Sequence, residues 1–167
     1  MKTELAKKAK SIKLILTDCD GVLTDNSVYY SKEGEVMKRF SIRDGMGVER
    51  LKNEIGVATG IITGETSGSV LKRAEKLQIQ HLYLGIKNKK EKLLNILEET
   101  GLSSHEIGYI GDDVNDIEIM QQCGLTACPA DAMFQVKEIA NYICHEKGGY
   151  GAFREFAELI IGLQKQS

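Results

Sequence analysis

Short apolar runs alternate with amphipathic segments along this chain of 167 residues, and that alternation limits its fold more than any other feature. Apolar, β-favouring runs predict strands at 13–18, 57–63, 81–85, 107–113, 125–128 and 141–144. The segments between them show helical spacing. Strands separated by single helices form parallel sheets with helices on both faces. The sequence therefore predicts one α/β domain over 1–167, built on a doubly wound, mainly parallel, Rossmann-like sheet.

Two segments depart from this simple alternation. Residues 26–41 include VYYSKEGEVMKRF, with β-favouring residues on both sides of Gly34, which predicts a β-hairpin insertion after the first strand. Asp44 is the expected N-cap of the helix that follows. Residues 146–167 form a glycine-rich C-terminal tail and a last helix, and we expect the chain to keep its fold when truncated after Glu146.

Composition excludes several classes of protein. The chain has 22 Lys and Arg against 24 Asp and Glu, for a net charge of −2, which argues against a nucleic-acid partner. No apolar stretch of about 18 residues occurs, so no membrane partner is expected. The four cysteines show no C-x-x-C spacing and are expected to be free thiols in the cytoplasm.

Polar residues gather where the predicted strands end. The first strand ends at Asp18, with Asp20 two residues on, and the second ends at Thr63. A later connection carries Lys89, and the fourth strand ends in Asp112 and Asp113. Ligands of such sheets lie outside the carboxyl ends of the strands. These side chains are therefore expected to form one site.

The residue types at this rim indicate phosphoryl transfer. Three or more adjacent carboxylates need a hard cation, and oxygen ligands suit Mg²⁺. Thr63 and Lys89 are suited to bind a phosphoryl group. Asp18 can attack phosphorus in line and form an aspartyl-phosphate, while Asp20 protonates the leaving oxygen and then activates water. Spacing alone leaves the choice of lysine open, because near neighbours of Lys89 are Lys87, Lys90 and Lys92.

The motifs DCDGVLTD, IITGE, Lys89 and GDDVND, in this order, resemble the four motifs of the haloacid-dehalogenase superfamily of phosphatases. The resemblance extends over almost the whole chain. The hairpin, IRDGMG (42–47), ITGE…KRAEK (62–76) and KGGYGAFREF (147–156) are similar to the small phosphatases of 3-deoxy-ulosonic acid phosphates. The implied activity is that of a phosphoric monoester hydrolase.

The resemblance also implies the role of each acid. Asp18 would be the nucleophile and Asp20 the general acid and base. Mg²⁺ would be held by Asp18, the carbonyl oxygen of Asp20 and Asp112, with support from Asp113 and Asp116. The residues by themselves are also compatible with Asp113 or Asp116 capping the helix that follows.

The resemblance implies a member without a cap domain. Residues 21–62 and 64–88 have no room for a cap beside the elements already predicted there. In the family, the missing lid comes from a neighbouring subunit of a homotetramer. The apolar hairpin would pair with other copies, and Arg154 in the tail would contribute positive charge to the pocket of an anionic substrate.

One departure from the common pattern concerns the substrate, a phosphorylated sugar acid. The octulosonate phosphatases usually carry Gly-Arg-Asp-Ser where this chain has GETS, so Glu65 replaces an arginine. Together with Arg73 and Lys76, this resembles relatives that act on nine-carbon ulosonate 9-phosphates. We expect 2-keto-3-deoxy-nonulosonate 9-phosphate to be preferred over 3-deoxy-manno-octulosonate 8-phosphate. The alternative interpretation is that Glu65, in the first turn of a helix, interacts favourably with the helix dipole. Arg73 and Lys76 would then be ordinary surface charges.

Two other classes share part of this pattern. A response-regulator receiver also combines an acidic pocket with a Thr and a Lys, but it lacks the D-x-D spacing and the acids after the fourth strand. A non-catalytic oligomerisation module of nucleotide-sugar metabolism is the other alternative. The intact set of motifs argues against it.

Overall fold

The computed structural model describes residues 2–166. The strands are β1 Leu14–Thr17, β2 Thr24–Ser31, β3 Gly34–Phe40, β4 Ala58–Ile62, β5 His81–Tyr83, β6 Ile107–Ile110, β7 Leu125–Cys128 and β8 Tyr142–Ile143. The helices are α1 Lys2–Ser11, α2 Ile42–Ile55, α3 Gly68–Lys76, α4 Lys89–Thr100, α5 Ile117–Met120, α6 Phe134–Ile139 and α7 Ala152–Lys165. The strands and helices predicted from the sequence are present. No helix within 2–166 is both long and apolar enough to cross a membrane.

Six strands form one parallel sheet in the order β5-β4-β1-β6-β7-β8, and β2 pairs with β3 in a separate antiparallel hairpin. This arrangement confirms the predicted doubly wound fold. Thr17 at the end of β1 lies opposite Ile61 of β4 and Ile110 of β6. The carboxyl ends of these three strands therefore meet at one edge, where the chain switches from one half of the sheet to the other.

No cap domain occurs in the described chain. Between β1 and β4 there is only the hairpin and α2, and between β4 and α4 only α3 and β5. The rim above the central strands is therefore covered by short loops and the hairpin alone.

The two faces of the sheet carry separate apolar cores. Side chains alternate along a strand, so Ile15 of β1 packs in one core with Phe153 and Phe156 of α7. Leu14 and Leu16 point to the opposite face and pack in the second core. Burial on both faces explains why these strands read as continuous apolar runs.

The C-terminal segment is a structural part of the core, so our expectation that truncation after Glu146 would spare the fold is wrong. Phe153, Phe156 and Ile160 of α7 are all fully buried. The glycine-rich loop before α7 also contacts the first acidic loop, because a Cβ on Gly148 would lie 1.8 Å from the carbonyl oxygen of Gly21. Removing this segment would expose one face of the sheet.

The start of α2 also differs from the expectation. The N-cap is Ser41, whose hydroxyl accepts a hydrogen bond of 3.3 Å from the amide of Asp44. The Asp44 carboxylate is instead buried and accepts the amide of Arg154 at 2.9 Å. Asp44 therefore serves the first turn of α7, which has no capping side chain of its own.

We predict that Phe156→Ala lowers the free energy of unfolding by about 3–5 kcal/mol, because it opens a cavity in a closed core. Urea denaturation measures this. Phe134→Ala is the matched control, since Phe134 is 64% exposed and its loss should cost less than about 1 kcal/mol. Equal losses in the two variants would contradict this description of the core.

Candidate active site

Three strand ends and two loops form a polar pocket at the predicted edge of the sheet. Asp18 follows β1, Thr63 follows β4, and Asp112 comes two residues after β6. The pocket is lined by Asp18, Asp20, Asn26, Thr63, Gly64, Glu65, Asp112, Asp113 and Asn115. The structure therefore brings together the acids and the hydroxyl that the sequence placed at one rim.

Lys89, the first residue of α4, lies beneath this pocket. Its ammonium group is 3.0 Å from Oδ1 of Asp18 and 2.7 Å from Oδ1 of Asp116. The Lys89 side chain is only 2% exposed. A buried charge needs such partners, and these contacts place Lys89 beside Asp18. Asn88 positions it by capping α4 with its side chain.

Asp116 is a structural centre of the site. Its Oδ1 accepts hydrogen bonds from Lys89 at 2.7 Å and from the Tyr109 hydroxyl at 2.6 Å. Its Oδ2 accepts the amides of Asp112 at 3.0 Å and Asp113 at 3.4 Å. Both oxygens are thus engaged, which fits a supporting role better than that of a cation ligand. Its Oδ2 also completes the capping box of the short turn Val114–Asp116, but its side chain does not cap α5, the helix that follows.

Asp112 differs from Asp116 in the hydrogen bonding of its carboxylate. Its Oδ1 is buried and has no hydrogen-bond partner. Oxygens of Asp18, Asp112 and Asp116 lie within 4.8 Å of one another. A Cβ on Gly21 would fall 1.9 Å from Oδ2 of Asp112, so only glycine leaves room for this carboxylate. A buried carboxylate oxygen without a donor, beside another acid, suits a hard cation.

The close approach of several buried carboxylates raises the pKa values of Asp18 and Asp112. Burial and the nearby charge of Asp116 raise the pKa of Asp18 to about 7, although Lys89 opposes the shift. Burial and the charge of Asp18 raise the pKa of Asp112 to about 8. Burial acts to lower the pKa of Lys89, but the charges of its two partners outweigh it and the pKa lies above its ordinary value. The site thus holds more negative charge than its own lysine compensates.

Asp20 has a different set of partners from Asp18. Its Oδ2 is 2.5 Å from the ammonium group of Lys38 on β3, and its Oδ1 accepts the Thr24 hydroxyl at 3.3 Å. The Asp20 side chain is 20% exposed and lines the pocket. Cys19, between the two acids, is fully buried in the same core as Ile15.

Two other predicted residues lie at the rim. Glu65 lines the pocket, and its amide donates to the Thr63 hydroxyl at 3.2 Å. Asp113 is exposed and caps the turn that follows by accepting the amide of Val114 at 2.6 Å. The capping alternative left open for Asp113 is therefore what its side chain does in this structure.

Three predicted substrate-binding cations do not line this pocket. Arg73 donates to the carbonyl oxygen of Ser41 at 2.8 Å. Lys76 lines a cavity at the opposite, amino-terminal edge of the sheet with Ala58. The guanidinium of Arg154 donates to Glu158 at 2.7 Å. A single chain therefore does not bring these cations to its own rim.

Sequence reasoning missed four residues of the site: Asn26, Lys38, Tyr109 and Asn115. Asn115 stands inside the GDDVND motif, and Asn26 follows the first acidic motif in a left-handed conformation with φ of 62°. The positions of these two asparagines, in one acidic motif and directly after the other, could have been recognised from the sequence. Tyr109 and Lys38 are recognised only once the fold places them beside Asp116 and Asp20.

Comparisons with known proteins agree with this geometry. A family model described as haloacid dehalogenase-like hydrolase matches residues 85–151. The 3-deoxy-D-manno-octulosonate 8-phosphate phosphatase of Haemophilus influenzae is 32% identical over 163 residues, which are 98% of this chain and 90% of that protein. The enzyme of the same name from Salmonella typhimurium is 39% identical over 155 residues, covering 92% and 81% of the two chains.

A solved structure extends the similarity to three dimensions. The 3-deoxy-D-manno-octulosonate 8-phosphate phosphatase of Moraxella catarrhalis, in complex with magnesium ion, phosphate ion and KDO molecule, matches with a TM-score of 0.94. It is 35% identical, and the match covers 99% of this chain and 95% of that one. This chain is therefore a phosphoric monoester hydrolase and belongs to the 3-deoxy-D-manno-octulosonate 8-phosphate phosphatase family of the haloacid dehalogenase-like hydrolases.

Proposed function

We propose that this protein is a Mg²⁺-dependent phosphatase that removes the terminal phosphate of a 3-deoxy-ulosonic acid phosphate through an aspartyl-phosphate on Asp18. The observation that carries the proposal is the position of Asp18 at the end of β1. Its carboxylate is buried, 3.0 Å from the ammonium group of Lys89, and faces a pocket lined by Thr63 and Asp112.

The reaction needs two displacements at phosphorus. A carboxylate oxygen of Asp18 forms a bond to phosphorus as the bond to the sugar oxygen breaks, and Asp20 gives that oxygen its proton. Asp20 then takes a proton from water, which attacks phosphorus, frees Asp18 and releases inorganic phosphate. The Thr63 hydroxyl and the Lys89 ammonium group hold the phosphoryl oxygens and offset their charge.

The acids around Asp18 fit a divalent cation. One oxygen of Asp112 has no hydrogen-bond partner, and the pKa values of Asp18 and Asp112 are raised. Both features are expected of a site that binds a cation. Asp18, Asp112 and the carbonyl oxygen of Asp20 would hold Mg²⁺, while Asp113 and Asp116 support them. The ion supplies positive charge that lets the carboxylates ionise together beside a phosphate.

The finer assignment of the substrate depends on Glu65. It lines the pocket within two residues of Thr63 and can accept hydrogen bonds from sugar hydroxyls. We infer a preference for 2-keto-3-deoxy-nonulosonate 9-phosphate, with 3-deoxy-manno-octulosonate 8-phosphate as the second candidate. The second candidate is favoured by the names of the relatives.

The proposed assembly is a homotetramer in which neighbouring copies cover the rim. The hairpin exposes apolar side chains, among them Tyr30 at 72% and Val36 at 51%. Such a patch marks an interaction site more often than open surface. Because Arg73, Lys76 and Arg154 do not line their own pocket, we infer that they serve the substrate carboxylate in the pocket of a neighbour.

The nucleophile is tested by Asp18→Asn, which keeps the size of the side chain but removes the attacking oxygen. We predict that kcat falls at least about a thousandfold with an unchanged circular dichroism spectrum. Asp25→Asn is the matched control, since its carboxylate contacts Arg39 at 3.4 Å and does not line the pocket. Near-normal turnover in Asp18→Asn would show that the reaction does not pass through this residue.

The cation site is tested by stability against pH. In EDTA the folded protein keeps protons on Asp18 and Asp112 that the unfolded chain releases above about pH 4. The native state then binds more protons than the unfolded state, so the free energy of unfolding should fall as pH rises from about 4 to about 8. Mg²⁺ replaces those protons and should stabilise the protein more at pH 8 than at pH 5.

Urea denaturation at pH 5 and pH 8, with EDTA or Mg²⁺, measures both effects. Asp112→Asn is expected to flatten the decline by about 1 kcal/mol per pH unit and to weaken the stabilisation by Mg²⁺. A variant with the full slope and the full response to Mg²⁺ would show that Asp112 does not belong to the cation site.

The substrate preference is tested by kcat/KM for the two sugar phosphates, measured as phosphate release. We predict a higher value for the nine-carbon ester, and a shift of about tenfold or more towards the eight-carbon ester in Glu65→Arg. Glu33→Arg is the control for the change of charge, because Glu33 is 80% exposed in the hairpin turn. A wild-type preference for the octulosonate ester would reject the nine-carbon assignment and leave the phosphatase reaction intact.

The assembly is tested by light scattering. We predict a homotetramer, and we expect Tyr30→Glu combined with Val36→Glu to give smaller species with reduced turnover, because charge is costly in an apolar interface. Phe134→Glu makes the same change at a site that is 64% exposed on α6 and should remain tetrameric. A wild-type monomer with full turnover would overturn the shared site.

A further inference from the structure

Lys38 is an unusual residue for a small exposed hairpin. Its side chain is only 1% exposed, although every other residue of the strand that carries it is at least partly exposed. Lysine is almost never fully buried unless it is paired. The partners of Lys38 are Oδ2 of Asp20 at 2.5 Å and a carboxylate oxygen of Glu35 at 3.8 Å.

Both oxygens of Asp20 are held by side chains outside the substrate pocket. Lys38 binds Oδ2, and the fully buried Thr24 donates its hydroxyl to Oδ1 at 3.3 Å. The direction of the Asp20 carboxylate is thus set by two neighbours. Proton transfer requires the acid to lie within hydrogen-bond reach of the departing oxygen, so the partners that orient Asp20 affect its chemistry.

The ion pair between Lys38 and Asp20 is also part of a chain of contacts. This chain joins the loop after β1, the hairpin and the loop after β4. Glu35 accepts a hydrogen bond from the hydroxyl of Ser67, which is 2% exposed and caps α3 through the amide of Val70 at 3.4 Å. Ser67 follows the loop that begins at Thr63. The hairpin therefore ties Asp20 to the loop after β4 through side chains that solvent does not reach freely.

We propose that Lys38 is a positioning residue for catalysis, which holds the carboxylate of Asp20 in the direction needed to protonate the leaving sugar oxygen. The inference rests on the proposed role of Asp20 as general acid. Lys38 acts through Asp20, because Oδ2 of this carboxylate is its shortest contact, at 2.5 Å. A misdirected acid slows the step that needs its proton, while substrate binding changes little.

The test uses two phosphate esters that differ in their need for an acid. A sugar phosphate loses an alkoxide that must be protonated, whereas p-nitrophenyl phosphate loses a stable phenolate that leaves without help. kcat/KM reports only the steps up to and including the first irreversible one, here the departure of the sugar or the phenolate. It therefore isolates the role of Asp20 as the acid. We expect Lys38→Met, in the intact Mg²⁺-loaded protein, to lower kcat/KM for the octulosonate 8-phosphate about tenfold to a hundredfold through kcat, with KM little changed. The loss for p-nitrophenyl phosphate should be less than about threefold.

A double-mutant cycle separates positioning from stability. In the Asp20→Asn background, Lys38→Met should cause no further loss with the sugar phosphate, because the group it orients is gone. Lys13→Met is the matched control, since Lys13 is 64% exposed before β1, at the opposite end of the sheet, and should leave both activities unchanged. Lys38→Gln, which keeps a polar group, is the second variant if Lys38→Met does not fold, and the same pattern is expected of it.

Equal losses with the two esters, or an additive loss in the Asp20→Asn background, would overturn the inference and leave Lys38 as a structural residue of the hairpin. The proposed function fails in a different way. If Asp20→Asn itself lowered kcat/KM equally for both esters, Asp20 would not be the acid. A selective loss in Asp20→Asn without one in Lys38→Met would reject the role of Lys38 alone.

Discussion

The ammonium group of Lys89, buried between Asp18 and Asp116, is the interaction on which the rest of the site depends. Its positive charge, at 2.7 to 3.0 Å from each of them, offsets part of the negative charge that these two buried side chains bring together. Lys89 reaches them because α4 begins at the rim, capped by Asn88. The start of one helix thus ties Asp18, after β1, to Asp116, in the turn that follows β6.

The two buried lysines of the site contact different members of the Asp18 and Asp20 pair. Lys89 serves Asp18 from below the sheet edge, and Lys38 serves Asp20 from the hairpin. The two acids are only two residues apart, yet their environments differ: burial and Asp116 raise the pKa of Asp18, while Asp20 remains at the pocket surface beside its own cation. Separate partners of this kind allow neighbouring carboxylates to take different roles in one reaction.

Much of this could be predicted from the sequence, because it depends on local patterns. The strands and helices follow from apolar runs and helical spacing, and the convergence of Asp18, Thr63 and Asp112 follows from the rule that parallel strands end at one edge. What could not be predicted depends on side chains that meet across long separations. Lys38 looks like an ordinary hairpin lysine until β3 is placed over Asp20, and the tail looked removable until α7 was seen to close one core.

The distribution of charge also bears on the proposed assembly. Lys38 is held by Asp20 and Glu35, and the proposed reaction uses Lys89 for the phosphoryl group, so neither lysine is left to bind the carboxylate of a sugar acid. Arg73 and Arg154 are held at the start of α2 and on α7, away from the pocket of their own chain. An acidic rim with Asp18, Asp20, Glu65, Asp112 and Asp113 around it would repel an anionic sugar. In the proposed assembly, the metal or a neighbouring copy would supply the cation that binds this sugar, so the proposed tetramer and the proposed substrate support each other.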